Sequence, residues 1–276
     1  NSFLVRVDAG RTRLRVAPSG NPPTAFEVTS PLGGAHLGEG DFSYKVSFDS
    51  SELAVRQGKA TLYNAETSMV LESGKRAIAH PDRSFSGPVA AARDLIKNGD
   101  FREPLGTGWT AYEDQGADAG DIGGSTEARS LPDRQAVRFF RTSGQGNHCE
   151  NGLRQRIDED ISDSHELILR LDVQVLNQSL SGGGYLSSEY PLMVRIDYRD
   201  ANKNPNFWIR GFYYWSDGTW PTLNGEKVPQ GIWYPYENSQ LLEEMDPRPY
   251  YIDSIRIYAS GWDYESLASS VELLTE

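Results

Sequence analysis

Phe207-Trp-Ile-Arg-Gly-Phe-Tyr-Tyr-Trp215 decides the architecture of this chain. Read with a period of two, it puts Phe207, Ile209, Gly211, Tyr213 and Trp215 on one face. Trp208, Arg210, Phe212 and Tyr214 fall on the other. An aromatic-rich run with that period is a strand, and one of its faces must be core. The same alternation recurs at residues 137–141, 153–157, 166–175, 193–198, 251–258 and 270–274, with Gly, Pro and Asn between the runs. Such spacing predicts a β-sandwich of eight to ten strands over residues 94–276. Residues 158–164 read as a charged turn or short helix, and Gly182-Gly-Gly184 as a flexible hairpin tip.

Upstream, the pattern changes scale. Residues 3–7 and 11–16 flank Gly10, 53–57 and 59–63 flank Gly58, and 69–73 and 75–78 flank Gly74. Each is a short alternating segment, a glycine, and a second segment opening on a base. Glycine supplies the positive φ of a tight hairpin or a bulge. Residues 26–29 and 42–48 alternate as well, and no helical period appears. This predicts a small antiparallel β-sandwich or flattened barrel over residues 1–85. The whole chain is therefore expected to be all-β. Residues 86–93, with Pro88 and small residues, read as a linker.

Composition supports the division. Of 276 residues, 39 are acids and 27 are bases, for a net charge of −12. Residues 1–92 hold 10 bases and 9 acids, whereas residues 93–276 hold 17 and 30. All six tryptophans lie in the second part. So acidic a chain is not a general nucleic-acid binder, nor does it adsorb to anionic lipid. No apolar run approaches the roughly 20 residues that span a bilayer. The single cysteine, Cys149, excludes an intrachain disulfide and a thiolate zinc cluster.

Two resemblances follow from particular motifs. Phe26-Glu-Val-Thr-Ser-Pro-Leu-Gly33, Gly40-Asp-Phe-Ser-Tyr-Lys-Val46, Val55-Arg-Gln-Gly-Lys-Ala-Thr-Leu62 and Leu71-Glu-Ser-Gly-Lys-Arg76 stand in an order and spacing that resembles the FecR-type periplasmic domain. That resemblance implies an extracytoplasmic module acting by contact with a partner protein, as signalling or tethering module. Any membrane attachment is expected only through a segment outside this chain, with a leader or anchor removed or lying upstream. Leu95-Ile-Lys-Asn-Gly-Asp-Phe101, Gly108-Trp109, Gln155-Arg-Ile157, residues 167–173 and Val271-Glu-Leu273 resemble the galactose-binding-like jelly roll of carbohydrate-binding modules. That implies a jelly-roll β-sandwich, a polysaccharide or other glycan as ligand, and no catalytic activity. No cofactor is required, but a structural Ca²⁺ often accompanies such modules, and Asp100 and Glu103 stand where its oxygen ligands are expected.

Within this frame the aromatics are the candidate binding residues. Aromatic faces suit the apolar C–H face of a pyranose. Trp220, Trp233 and Tyr236, read as loop residues beside Pro221 and Pro235, are the expected ligand-binding surface, joined by Trp215, Tyr213 and Asp217. Catalytic signatures are lacking: there is no G-x-S-x-G elbow and no phosphate loop, and Cys149 reads as a small buried residue. Chance carboxylate pairs in so acidic a chain carry no glycosidase signal. A glycan-binding protein is thus weighed against a protein-contact scaffold and an unrecognised hydrolase.

Overall fold

The computed structural model describes residues 2–17, 25–115, 123–162 and 164–275. It divides into two compact units, Asn1–Arg93 and Asp94–Glu276. Both are built of strands, and the helix α1 (Leu241–Glu244) is the one α-helix among the described residues. No helix of the described residues is long and apolar enough to cross a membrane.

The first unit holds β1 (Ser2–Arg6), β2 (Gly10–Val16), β3 (Ala25–Ser30), β4 (Gly33–Val46), β5 (Ser51–Tyr63), β6 (Ser68–Glu72), β7 (Lys75–Ala79) and β8 (Phe85–Ala90). They form one sheet in the order β1-β3-β4-β5-β7-β8, with β2 also on β4 and β6 also on β5. Two long strands organise it. The first residues of β4 pair with β3 and its last seven with β2. The first half of β5 pairs with β7 and the second half with β6. The halves meet at a bend where Gly40 faces Gly58. A Cβ on Gly40 would lie 2.0 Å from the Gln57 carbonyl oxygen, and one on Gly58 2.0 Å from that of Glu39. Only glycine allows so close a crossing. One core joins both halves, with Val28, Leu62 and Leu71 from one and Phe42, Val55 and Ala77 from the other.

This corrects three readings of the sequence. Gly10, Gly58 and Gly74 close no hairpins: β5 continues through Gly58 with a bend and a bulge-like register shift against β4, and neither β1–β2 nor β6–β7 is a paired couple. At Gly10 and Gly74 the chain instead turns to pair elsewhere. The β1–β3 pairing is parallel, an exception within the antiparallel scheme. The stretch read as a linker is largely β8, paired with β7. Pro88 is accommodated because β8 is an edge strand, where a missing N–H costs no ladder bond.

The second unit opens at β9 (Arg93–Asp94). It continues through β10 (Thr110–Asp114), β11 (Ser125–Ser130), β12 (Gln135–Arg141), β13 (Cys149–Asp160), β14 (Leu167–Gln178) and β15 (Leu192–Arg199). Then come β16 (Pro205–Tyr213), β17 (Gly225–Lys227), β18 (Tyr234–Asn238), β19 (Tyr251–Gly261) and β20 (Tyr264–Thr275). One sheet runs β10-β13-β19-β15-β16-β17 and the other β11-β12-β20-β14-β18, with β9 also on β20. Leu153, Ile255, Val194 and Trp208 from the first sheet interlock with Val137, Leu169, Val173 and Leu273 from the second. This is the aligned two-sheet sandwich expected from the alternation. Burial follows the period of two: Trp208 and Phe212 are core, while Phe207 on the opposite face is 54% exposed.

The opening segment is a clasp. Asn98 donates to the Glu103 and Pro104 carbonyls and accepts from the Glu103 N–H, while Trp109 donates its ring N–H to the Asn98 carbonyl. Gly99 lies against the Val271 carbonyl, 1.9 Å from where a Cβ would sit. The Phe101 and Trp109 rings stand 5.9 Å apart. These contacts give the Asn-Gly-Asp-Phe and Gly-Trp motifs a structural meaning: they fasten the first segment to the last strand.

Candidate functional site

The outer face of the β10-β13-β19-β15-β16-β17 sheet carries a groove of about 820 Å³. That volume falls in the range of about 300–1,000 Å³ typical of ligand sites. The groove is assembled by register. Every second residue of β13, β19 and β15 is committed to the core, so its neighbours point outward together. Directly paired residues then form three rows across the sheet. The first runs Tyr112, Gly152, Tyr258, Met193, Gly211. The second runs Thr110, Arg154, Arg256, Arg195, Ile209, and the third Arg156, Ser254, Asp197, Phe207.

The first row is apolar. Tyr190, Met193, Tyr213 and Tyr258 form a second buried cluster on this outer face, against which Tyr112 and Ile209 pack. Glycines make it possible. A Cβ on Gly152 would lie 2.4 Å from that of Tyr258, and one on Gly211 2.0 Å from the Tyr190 ring. Gly183 lies against the same Tyr190 ring, so Gly182-Gly-Gly184 is not a free hairpin tip. Burial, aided by the nearby Glu150 carboxylate, drives the Tyr112 and Tyr258 hydroxyls well above the usual tyrosine range. Both stay neutral donors, and Tyr112 donates to Glu150 at 2.7 Å.

The other rows are charged and extensively bonded. Asp197 accepts from Arg195 at 2.7 Å, from the Ser254 hydroxyl at 3.1 Å and from Arg256 at 3.3 Å. Burial disfavours the Arg256 charge, but Asp197 and Glu150 outweigh it and hold the guanidinium firmly protonated. Arg199 grips Asp253 through both carboxylate oxygens at 3.0 and 3.1 Å, and Arg156 pairs with Asp158. The Arg195 guanidinium lies 4.2 Å over the Phe207 ring. Tyr112 on β10 thus stands beside a floor of paired guanidinium, carboxylate and hydroxyl groups, and Phe207 on β16 lies farther along the same outer face. Apolar plates beside charge-assisted donors can hold a polyhydroxylated ligand by face and by edge.

The aromatics singled out from sequence go elsewhere, and not to one place. Tyr236 is a correction: it lies on β18, not in a loop, and is buried edge-on against Phe212 at 5.0 Å. Tyr213 is buried within the outer-face cluster beside Tyr190. Trp233 is half-buried under Arg134, whose guanidinium stands 4.5 Å above its ring. Trp215 and Trp220 remain 43% and 41% exposed, and Trp220 meets Tyr185 edge-on at 4.9 Å. Asp217 caps its own turn, accepting from Ser181 and from the Thr219 N–H, and those bonds hold its carboxyl below the usual range.

The groove arginines and Asp197 were not identified from sequence. Their signal was present, as charges at every second position of Leu153-Arg-Gln-Arg-Ile157 and Val194-Arg-Ile-Asp-Tyr-Arg199. Only strand register brings those charges together.

Asp100 and Glu103 both lie in the clasp of the opening segment. Arg102 lies 3.5 Å from the Asp100 carboxylate, and Glu103 is exposed, its backbone held by Asn98. Among the described residues no group of three His, Cys, Asp or Glu side chains gathers as metal ligands. Cys149 is buried beside Tyr264, and burial raises its thiol, so it is not a thiolate nucleophile.

No protein-family model matches the chain, and no curated protein does. Among solved structures it is similar to a protein of Parabacteroides distasonis named as an anti-sigma factor, at 18% identity and a TM-score of 0.28. That match covers 31% of this chain and 40% of that one, so the chain spans less than half of the structure it matches. It is also similar to the family 11 carbohydrate-binding module of a cellulosomal cellulase of Clostridium thermocellum. There the identity is 14% and the TM-score 0.40, over 68% of this chain and 96% of that one. A third similar structure is a carbohydrate-binding module in complex with β-1,4-galactotriose, at 12% identity and a TM-score of 0.35, over 67% of this chain and 99% of that one.

Proposed function

We propose that this protein is a non-catalytic, extracytoplasmic glycan-binding protein whose second unit takes a sugar chain in the sheet-face groove. The supporting observation is the groove itself: an open cleft of about 820 Å³, lined by Tyr112 and Thr110 and floored by paired arginines and aspartates. Its donors are tied to the sheet, so little ordering cost remains on binding. A hydrolase reading fares worse. Glycosidase chemistry needs a carboxyl free to give a proton. Here Asp158, Asp197 and Asp253 are each engaged by an arginine.

The first unit supports a protein-contact role in signalling or tethering. Phe3 and Leu4, on the edge strand β1, are 56% and 66% exposed. An exposed apolar edge is a surface that a partner strand can extend. The extracytoplasmic setting rests on the FecR-type resemblance of residues 26–76.

A second reading keeps the loop aromatics as the glycan surface, because Trp215, Trp220 and their neighbour Tyr185 are solvent-exposed. A glycan array probed with the full chain, Tyr112→Ala and Trp220→Ala separates the two. The groove reading expects Tyr112→Ala to lose the signal and Trp220→Ala to keep it. The reverse would move the site to the loops, and an array without any signal would sink the glycan function.

A further inference from the structure

The middle row of the sheet face places three arginines side by side, two of which, Arg154 and Arg256, line the groove. Arg154 is directly opposite Arg256, and Arg256 directly opposite Arg195. Like charges at directly paired positions of a sheet repel one another. Asp197 compensates Arg195 and Arg256, and Glu150 adds its field at Arg256. Arg154 is left out. Its Nε reaches only the Ser254 hydroxyl, at 3.3 Å, and that hydroxyl is already donated to Asp197. Among the described residues Arg154 has no carboxylate partner. The other groove acids are taken, Asp158 by Arg156 and Asp253 by Arg199. So a chain of net charge −12 lines one groove with four arginines against three aspartates and leaves Arg154, at the end of the row beside Thr110, without a carboxylate partner among the described residues.

We infer that the glycan held in this groove is acidic, with a uronate carboxylate received by Arg154 and its ring set toward Tyr112. The inference rests on the glycan reading above and specifies its ligand class. A guanidinium fork matches a carboxylate in two parallel hydrogen bonds. A neutral sugar would leave the arginine row as strained as it stands, whereas a carboxylate relieves it. The surrounding negative charge repels dense polyanions at long range. Recognition therefore has to be local, through the carboxylate seated at Arg154.

The test titrates the full chain with polygalacturonate, alginate and glucuronoxylan, each alongside its carboxyl-reduced form. At least one acidic polymer should bind, and carboxyl reduction should weaken it by about tenfold or more, as loss of a charged hydrogen bond does. Arg154→Gln should weaken the acidic form to a similar degree and the reduced form by clearly less, with Arg154→Lys intermediate. Unchanged circular dichroism checks that the variants fold. Equal binding of acidic and reduced polymers, or equal loss in Arg154→Gln for both, would overturn the acidic assignment. The groove would then keep its glycan function if Tyr112→Ala still abolishes binding of the neutral form. Competition by dextran sulfate as strong as by the uronate polymer would also overturn it, by reducing the effect to bulk charge. No binding by any polymer, acidic or reduced, would overturn both readings.

Discussion

Asp197→Asn tests whether one carboxylate keeps the arginine row compatible with the fold. In the structure Asp197 is 18% exposed and accepts from Arg195, Ser254 and Arg256, the arginines being 30% and 24% exposed. A well-made bond to a charged group is worth about 1.5–3 kcal/mol, and stranding a partner costs more. The Arg256 contacts are long and the site is partly wet, which brings the expected loss to about 2–3 kcal/mol. For a unit of this size each kcal/mol moves Tm by about 2–4 °C, so the variant should melt about 5–10 °C lower. The assay is thermal unfolding of the full chain followed by near-ultraviolet circular dichroism. Adding Arg256→Gln to Asp197→Asn should recover about half of the loss, because one uncompensated charge is gone. A shift below about 1 °C, or a double variant that falls by the sum of both singles, would refute the reasoning.

Further outcomes follow from other parts of the molecule. Gly58→Val must drive its Cβ into the Glu39 carbonyl from a φ of +93° and should cost the first unit about 3 kcal/mol or more, read by urea unfolding; a loss under about 1 kcal/mol would contradict the bend. Tyr190→Ala should cost about 3–5 kcal/mol and Tyr190→Phe about 1, since the ring fills a glycine cradle and its hydroxyl donates to the Leu223 carbonyl at 2.8 Å; equal losses would show that the ring is not the larger part. Burial pushes the Tyr63 and Tyr190 hydroxyls up to about 12, above their unfolded value of 10.0. Their contribution to stability is complete below pH 10 and lost as pH rises toward 12, and an ultraviolet titration should find them resistant until the chain unfolds. Adding calcium or a chelator should move neither Tm nor glycan binding; a rise of more than about 2 °C with calcium would restore Asp100 and Glu103 as ligands.

Much of the fold was legible because alternation is a local signal. Trp208 and Phe212 face the core, and Phe207 faces out, as the period of two dictates. What alternation does not encode is which strands pair. Gly10, Gly58 and Gly74 carry the same local signature as hairpin glycines, yet two are corners and one is a bend within a 13-residue strand. The difference lies in the halves of β4 and β5 choosing different partners, which only long-range packing decides. The candidate aromatics scatter for a related reason. Tryptophan beside proline reads as a binding loop, but Tyr236 lies in β18 and Trp233 shelters under Arg134. The sheet-face row is made instead from charges on separate strands, Arg154, Arg256 and Arg195, about 40 to 100 residues apart in sequence, that meet only through register.

The central claim, that the sheet face and not the loops holds the glycan, is tested most directly by photo-crosslinking. An array-selected glycan carrying a diazirine is bound to the full chain, irradiated, and its attachment mapped on peptides by mass spectrometry. Labels should fall on residues 110–114, 154–158, 195–199 and 253–258, and Tyr112→Ala should remove them in a chain that circular dichroism shows still folded. Labels concentrated on residues 215–223 or 233–236 would contradict the account.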